Sequence, residues 1–309
     1  MKEVIKSLSN LHRSKGKDIA VLATPRGGST WMMQIVASQK AFKAINEPFN
    51  IRDPLVRRSS GIFSWQELYE ARTERIKEYL NGFQRGKFGG FNPNPFRRGY
   101  RPFSARLVFK IIHLRPDWLF GIDKLLNLKI IMLLRHPVPV ALSRKEFPVL
   151  DFFENEAFSA AFSKEQIGEA RNIAIRGSHL EKGVLAWCLH NAPVLWDPPT
   201  VWEMFFYEEC VLNEEKEFER LLTFCECHNK GRALEQAQIP SLVIGKSDRE
   251  TQAFLRKGQS TKIDRRFLVE KWRKRVTNDE LRQVQGILDM FRVDKYKADE
   301  FSPQLGTKA

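Results

Sequence analysis

The sequence predicts an α/β fold, doubly wound about one central parallel sheet flanked by helices, and three observations carry that expectation. Short runs that are apolar on both faces recur at Ile19 to Ala23, Leu107 to Ile112, Lys129 to Leu134 and Val201 to Tyr207, with Leu242 to Ile244 as a weaker fifth. Such runs suit buried parallel strands. Helical patterns fall between them, at Thr30 to Gln39, Trp65 to Asn81, Pro116 to Leu126, Val138 to Lys145, Gly168 to Leu195, Glu214 to Cys225 and Asn278 to Phe291. Strand alternating with helix is the pattern of crossover connections. The third observation is a glycine-rich turn, Thr24-Pro25-Arg26-Gly27-Gly28-Ser29, at the first strand-to-helix junction. No repeat, low-complexity tract or linker divides the chain, so a single domain is expected over 18–295. A basic extension, 1–17, precedes it and a tail, 296–309, follows.

The 309 residues are 42% hydrophobic, ample for a packed core, and 51 basic against 37 acidic residues give a net charge of +14. That excess favours an anionic ligand: a nucleotide, a nucleic acid, a sulfated or phosphorylated sugar, or a membrane surface. No segment approaches the roughly 18 to 20 apolar residues of a membrane span, and the basic N-terminus lacks an apolar core, so the chain is read as cytoplasmic. The cysteines, Cys188, Cys210, Cys225 and Cys227, form no disulfide framework. Cys225-Glu226-Cys227-His228 has C-x-C spacing and no second ligand pair nearby, so it is read as a helix end and no metal is expected.

The glycine-rich turn is built to hold an anion. Without a Cβ at Gly27 and Gly28 the backbone can approach a phosphate, and amides at the following helix N-terminus point at it. Arg26, Ser29 and Thr30 add side-chain donors. The Walker pattern would place a Lys after the second Gly, and here Ser29 follows Gly28 directly. A second anion site is suggested where the strand Lys129 to Leu134 ends on Arg135-His136-Pro137, with Ser143 about two helical turns further on. By spacing alone, a surface Arg at a strand end with an incidental helical Ser is the readier reading of the pair.

Taken together, these blocks resemble a known family. TPRGGSTW looks like the 5′-phosphosulfate loop of sulfotransferases that use 3′-phosphoadenosine 5′-phosphosulfate (PAPS), and KIIMLLRHPVPVALSR looks like their 3′-phosphate motif. Phe254-Leu255-Arg256-Lys257-Gly258 is similar to the family's R-K-G segment, and VWEMFFYEE resembles its late strand ending in Tyr-Glu. The resemblance implies a P-loop-like fold with the nucleotide across the carboxyl edge of the sheet. It implies that Arg26, Gly27, Gly28, Ser29, Thr30 and Trp31 hold the 5′-phosphosulfate. Arg135, Ser143, Arg256, Lys257 and Gly258 would hold the 3′-phosphate, and Tyr207 would lie near adenine. The chain departs from the pattern in carrying Arg26 where many cytosolic members have Lys, in His136 where Asp or Asn is commoner, and in lacking G-D-W after the R-K-G segment.

Sulfuryl transfer needs an in-line nucleophile, charge stabilisation and a base at the acceptor. Arg26 is expected to supply charge. The donor brings its own activated leaving group, so no metal is required. Asn46-Glu47-Pro48-Phe49 is similar to the Glu-Pro motif of the carbohydrate branch, which makes Glu47 the first choice of base; this places the chain closer to that and the bacterial branch than to the cytosolic aryl branch. His113, 22 residues before Arg135 as in the cytosolic branch, is the second choice, and Lys110 could steady the sulfuryl oxygens. The acceptor is expected to be a glycan, lipid-linked saccharide or small molecule. A P-loop-like kinase or NTPase, or a silent nucleotide- or RNA-binding protein, are the competing readings; no nucleic acid is expected, because apolar residues interleave the basic run Lys262 to Arg275 at helical spacing. Trp187 and Asn191 read as core. The irregular stretches Gly82 to Phe103 and Phe147 to Phe162 read equally as walls of a second substrate site or as surface connections.

Overall fold

The computed structural model describes residues 11–12, 15–88, 103–239 and 265–305. Two short strands, β1 (Leu11–His12) and β4 (Phe103–Ser104), pair in a ladder of their own. Five parallel strands form the central sheet: β2 (Asp18–Leu22), β3 (Phe42–Asn46), β5 (Arg106–Ile111), β6 (Leu128–Leu134) and β7 (Glu203–Phe206), in the spatial order β3-β5-β2-β6-β7. This is the doubly wound arrangement expected from the sequence.

Alternate residues of β2 explain why its run is apolar throughout. Ala20 and Leu22 pack on one face with the helices Thr73–Gln84, Pro137–Leu142, His179–Trp196 and Asn278–Met290. Ile19 and Val21 pack on the other, against the helices Ser29–Ser38, Glu214–Phe224 and Lys230–Ala237. With both faces covered, no position tolerates a polar side chain without a partner. The exception satisfies the rule: buried Asp18 accepts the Leu107 amide at 2.7 Å and the Gln84 amide nitrogen at 3.0 Å.

The register decides where chemistry can sit. Leu22 pairs with Ile111 on one side and Met132 on the other, and Asn46 pairs with Lys110. The glycine-rich turn, Glu47, Lys110 and Arg135 therefore leave the sheet along one carboxyl edge, at the point where the chain switches from building one side of β2 to the other.

Four expected strands are present, and Leu242 to Ile244 lies outside the described residues. β3 was not expected, because Lys43 and Asn46 break its apolar run. Lys43 is nonetheless buried, which lowers its pKa to about 8. The pattern at Gly168 to Leu195 is two helices, Lys164–Arg176 and His179–Trp196, divided at Gly177 and Ser178. Ser178 caps the second helix in a capping box with Glu181. Trp65 to Asn81 likewise divides into Trp65–Tyr69 and Thr73–Gln84. The stretch Phe147 to Phe162 is an ordered connection with Phe153 and Phe158 in the core, whereas most of Gly82 to Phe103 lies outside the described residues. Trp272, within the basic run, is buried, as are Tyr296 and Ala298. Among the described residues no helix is long and apolar enough to cross a membrane.

Because the Ser178 hydroxyl accepts the Glu181 amide where two helices meet, Ser178→Ala is expected to lower unfolding free energy by about 1 kcal/mol. Urea melts of the two proteins, with equal slopes, are the check.

Candidate active site

The turn between β2 and the helix Ser29–Ser38 is closed by the Gly27 amide donating to the Thr24 carbonyl at 2.9 Å. Gly28 caps the helix at φ +92°, and a Cβ there would stand 2.6 Å from Cδ2 of Tyr207. A Cβ on Gly27 would meet the Thr24 carbonyl oxygen at 2.9 Å. Both glycines are thus required by close approach, and Gly28 also by backbone conformation. Arg26 adopts φ +72°, a left-handed conformation that costs a non-glycine residue on the order of 1 kcal/mol. The buried Thr24 Oγ1 has no hydrogen-bond partner among the described residues. Trp31 turns away: its indole donates to the Ala237 carbonyl at 3.1 Å and packs on Phe218, filling the core rather than the crevice.

Arg135 sits just past β6. Its Nη1 donates to the Arg26 carbonyl at 3.1 Å, its guanidinium lies 4.3 Å over the Tyr207 ring, and its buried Nε is unpartnered among the described residues. Tyr207 therefore backs the turn and carries Arg135 on one face. Trp187, fully buried as expected for core, fixes the Arg135 carbonyl at 3.0 Å and itself accepts from Asn191 through its own carbonyl at 2.9 Å. His136 takes the capping place of the commoner Asp or Asn: its Nδ1 accepts the Val138 amide at 3.3 Å. Its Nε2 lies 3.0 Å from the Lys297 carbonyl, its ring stacks on Trp272, and burial pushes its pKa down to about 4. Behind it, the carboxylate of Glu208 accepts the His136 amide at 2.9 Å and the Tyr296 hydroxyl at 3.0 Å; burial raises Glu208 to about 6. Ser143 ends the helix Pro137–Leu142 exposed, its hydroxyl on the Val140 carbonyl at 2.9 Å.

The two candidate bases meet. Glu47 leaves β3 in a left-handed turn at φ +49°, its amide on the Lys110 carbonyl at 3.1 Å. Lys110, 2% exposed, donates to Thr30 Oγ1 at 2.9 Å and pairs with Glu47 Oε1 at 2.6 Å. Glu47 Oε2 accepts from Asn50 at 2.9 Å and lies 3.7 Å from His113 Nε2, which is buried without a hydrogen bond among the described residues. Trp65 packs on the other side of the imidazole, ring centroids 5.0 Å apart. Burial alone would raise the Glu47 carboxyl, but the adjoining His113 and the Lys110 ammonium outweigh it and hold the pKa at about 2.

The structure thus joins Thr30, Lys110, Glu47 and His113 in one chain of contacts, and Arg26, Gly28, Tyr207 and Arg135 in a second. Arg256, Lys257 and Gly258 lie outside the described residues. Thr24, Asn50, Trp65 and Glu208 were not singled out from sequence; the nearest signal for Asn50 was its position three residues after Glu47.

Two outcomes follow from this geometry. A carboxyl held below its ordinary 4.5 stabilises the fold above that pH, and the contribution is lost as pH falls toward 2. Glu47→Gln should flatten that part of an acid-unfolding curve measured between pH 5 and pH 2. Gly28→Ala should cost about 2 kcal/mol or more in a denaturant melt, and pairing it with Tyr207→Ala in a double-mutant cycle should return the steric share but not the backbone strain.

Among the solved structures similar to the chain are three sulfotransferases. One is a sulfotransferase domain from the curacin biosynthetic pathway, at 15% identity and TM-score 0.47, covering 90% of this chain and 98% of that one. Another is a sulfotransferase domain from the Synechococcus PCC 7002 olefin synthase, at 17% and 0.44, covering 92% and 97%. The third is the mouse sulfotransferase SULT7A1 complexed with PAP, at 13% and 0.44, covering 95% and 90%. No curated protein matches by sequence. Residues 16–300 match the family model described as the sulfotransferase domain, and the chain belongs to that family.

Proposed function

We propose that this sulfotransferase moves a sulfuryl group from PAPS to a hydroxyl of a glycan, lipid-linked saccharide or small-molecule acceptor. The observation that carries the reading is the chain of contacts from Thr30 through Lys110 and Glu47 to His113, which couples an anion loop to a proton acceptor. The local chemistry fits a nucleotide with two anionic ends. Gly27 and Gly28 leave a cradle that a Cβ would fill, while Thr24 Oγ1 and Arg135 Nε are buried polar atoms awaiting partners among the described residues. In this reading Arg26, Ser29, Thr30 and the backbone of Gly27, Gly28 and Trp31 hold the 5′-phosphosulfate. Arg135 and Ser143, with Arg256, Lys257 and Gly258, hold the 3′-phosphate. Tyr207 props both the turn and Arg135.

Bound there, PAPS supplies a sulfuryl group on an activated phosphate leaving group. The chain's own residues then have three tasks: to align an acceptor oxygen, to take its proton as the oxygen–sulfur bond forms, and to stabilise charge on the phosphate oxygen as the old bond breaks. Arg26 and Lys110 serve the last. For the proton, geometry favours His113 over the carboxylate preferred from sequence. Both Glu47 oxygens are engaged and its pKa is about 2, which makes it a weak acceptor. With Nε2 turned to Glu47, His113 keeps Nδ1 for the acceptor hydroxyl, and Glu47 steadies the imidazolium that results.

A screen with labelled PAPS against hydroxylated acceptors tests the activity, and binding of PAP without transfer to any acceptor would instead support a silent nucleotide-binding protein. His113→Ala is expected to lower kcat by roughly 10²- to 10⁴-fold, and Glu47→Gln by about 10-fold, with PAP affinity retained in both. A larger loss in Glu47→Gln than in His113→Ala would return the base to Glu47. Arg26→Ala should lower kcat by roughly 10²-fold or more while weakening PAP much less.

A further inference from the structure

β6 ends at Leu134 and β7 at Phe206, yet the residues beyond them stay matched one to one. Leu134 pairs with Phe206 in the ladder. Next, the Arg135 guanidinium lies 4.3 Å over the Tyr207 ring, and after it the His136 amide donates to Glu208 Oε1 at 2.9 Å. From the helix His179–Trp196, the Trp187 indole donates to the Arg135 carbonyl at 3.0 Å. The peptide unit joining Arg135 to His136 is therefore held at both polar ends, its carbonyl by Trp187 and its amide by Glu208. Tyr296 closes this clamp. Its hydroxyl donates to Glu208 Oε2 at 3.0 Å, and its ring meets those of Trp187, His136 and Phe206 edge-on.

Trp187 and Tyr296 are fully buried and Glu208 is 1% exposed. A buried carboxylate is a costly way to satisfy one amide. What the arrangement gains is rigidity at a junction that the ladder no longer governs. The ladder fixes the peptide before Arg135 and the clamp fixes the one after it, so the Cα–Cβ direction of Arg135 is set from both sides. The clamped unit also leads through Pro137 into the helix that ends at Ser143. It thus governs how Arg135 and Ser143 stand relative to one another.

We infer that Trp187 and Glu208 are positioning residues for the 3′-phosphate. By clamping the Arg135–His136 peptide they hold Arg135 and Ser143 in the arrangement that tells a nucleotide bearing a 3′-phosphate from one that lacks it. Contact between a guanidinium fork and a phosphate depends on orientation, so an arginine whose backbone is fixed on both sides discriminates better than one free to turn. This inference rests on the reading that Arg135 meets the 3′-phosphate of PAPS.

The test is calorimetric titration of the full chain with PAP and with adenosine 5′-phosphate, which lacks the 3′-phosphate. Wild type should prefer PAP by roughly 10-fold or more, the worth of a charge-assisted contact. Trp187→Phe keeps a ring against Tyr296 and loses the indole N–H. It should weaken PAP by roughly 3- to 10-fold and leave adenosine 5′-phosphate within about twofold. Arg135→Ala should abolish the preference, and adding Trp187→Phe to it should cost nothing further, because both act on one contact. Glu208→Leu should behave like Trp187→Phe, whereas Glu208→Gln, which keeps an acceptor for the His136 amide, should retain most of the PAP affinity. Should Glu208→Leu fail to fold, Tyr296→Phe removes only the hydroxyl that holds Glu208, and its loss should again be confined to PAP. Equal losses of both nucleotides in Trp187→Phe, or full additivity with Arg135→Ala, would overturn the inference and leave the donor reading standing. A wild type that binds the two nucleotides equally would instead refute the assignment of Arg135 to the 3′-phosphate, and the inference with it.

Discussion

Lys110 is an ammonium with almost no access to water, and the carboxyl edge is organised around the need to satisfy it. A buried ammonium without acceptors is costly. Two acceptors are supplied from different parts of the chain, the Thr30 hydroxyl on the helix after the glycine-rich turn and the Glu47 carboxylate just past β3. The same residue's carbonyl takes the Glu47 amide. Main chain and side chain of one strand residue therefore fix both the anion loop and the neighbour of His113, and a displacement of either is felt by the other.

The opposite side of the edge depends on packing more than on charge pairing. Tyr207 presses on Gly28 and carries Arg135, while Trp187 holds the Arg135 backbone from behind. His136 shows how a departure from a family pattern can be accommodated. An imidazole nitrogen replaces a carboxylate or amide as helix cap, and because burial keeps the ring neutral, its second nitrogen can donate to a carbonyl while its face stacks on Trp272.

Much of this was legible in the sequence, for definite reasons. β2 and β6 were plain because burial on both faces forces continuous apolar runs, and the turn at Gly27 and Gly28 was plain because close backbone approach demands glycine. β3 was hidden by Lys43, a long side chain whose burial no local pattern announces. The break at Ser178 was written in the chain as a Ser followed three residues later by Glu181, but two helical patterns of compatible phase ran through it. At the site, the candidate residues could be named but not their order of contact. Glu47 and His113 were rivals in sequence because 66 positions separate them, and only the pairing of β3 with β5 brings them to 3.7 Å.

The hydrogen bond between His136 and Lys297 joins residues 161 positions apart, and Tyr296 beside it closes on Glu208. During synthesis the loop, β5 and β6 are all made well before Tyr296. Until that residue arrives, the Glu208 carboxylate lacks one of its two partners and the strand end bearing Arg135 stands open behind. The edge of the sheet that is built first in sequence is therefore sealed last in time, by the same C-terminal segment that completes one face of the core.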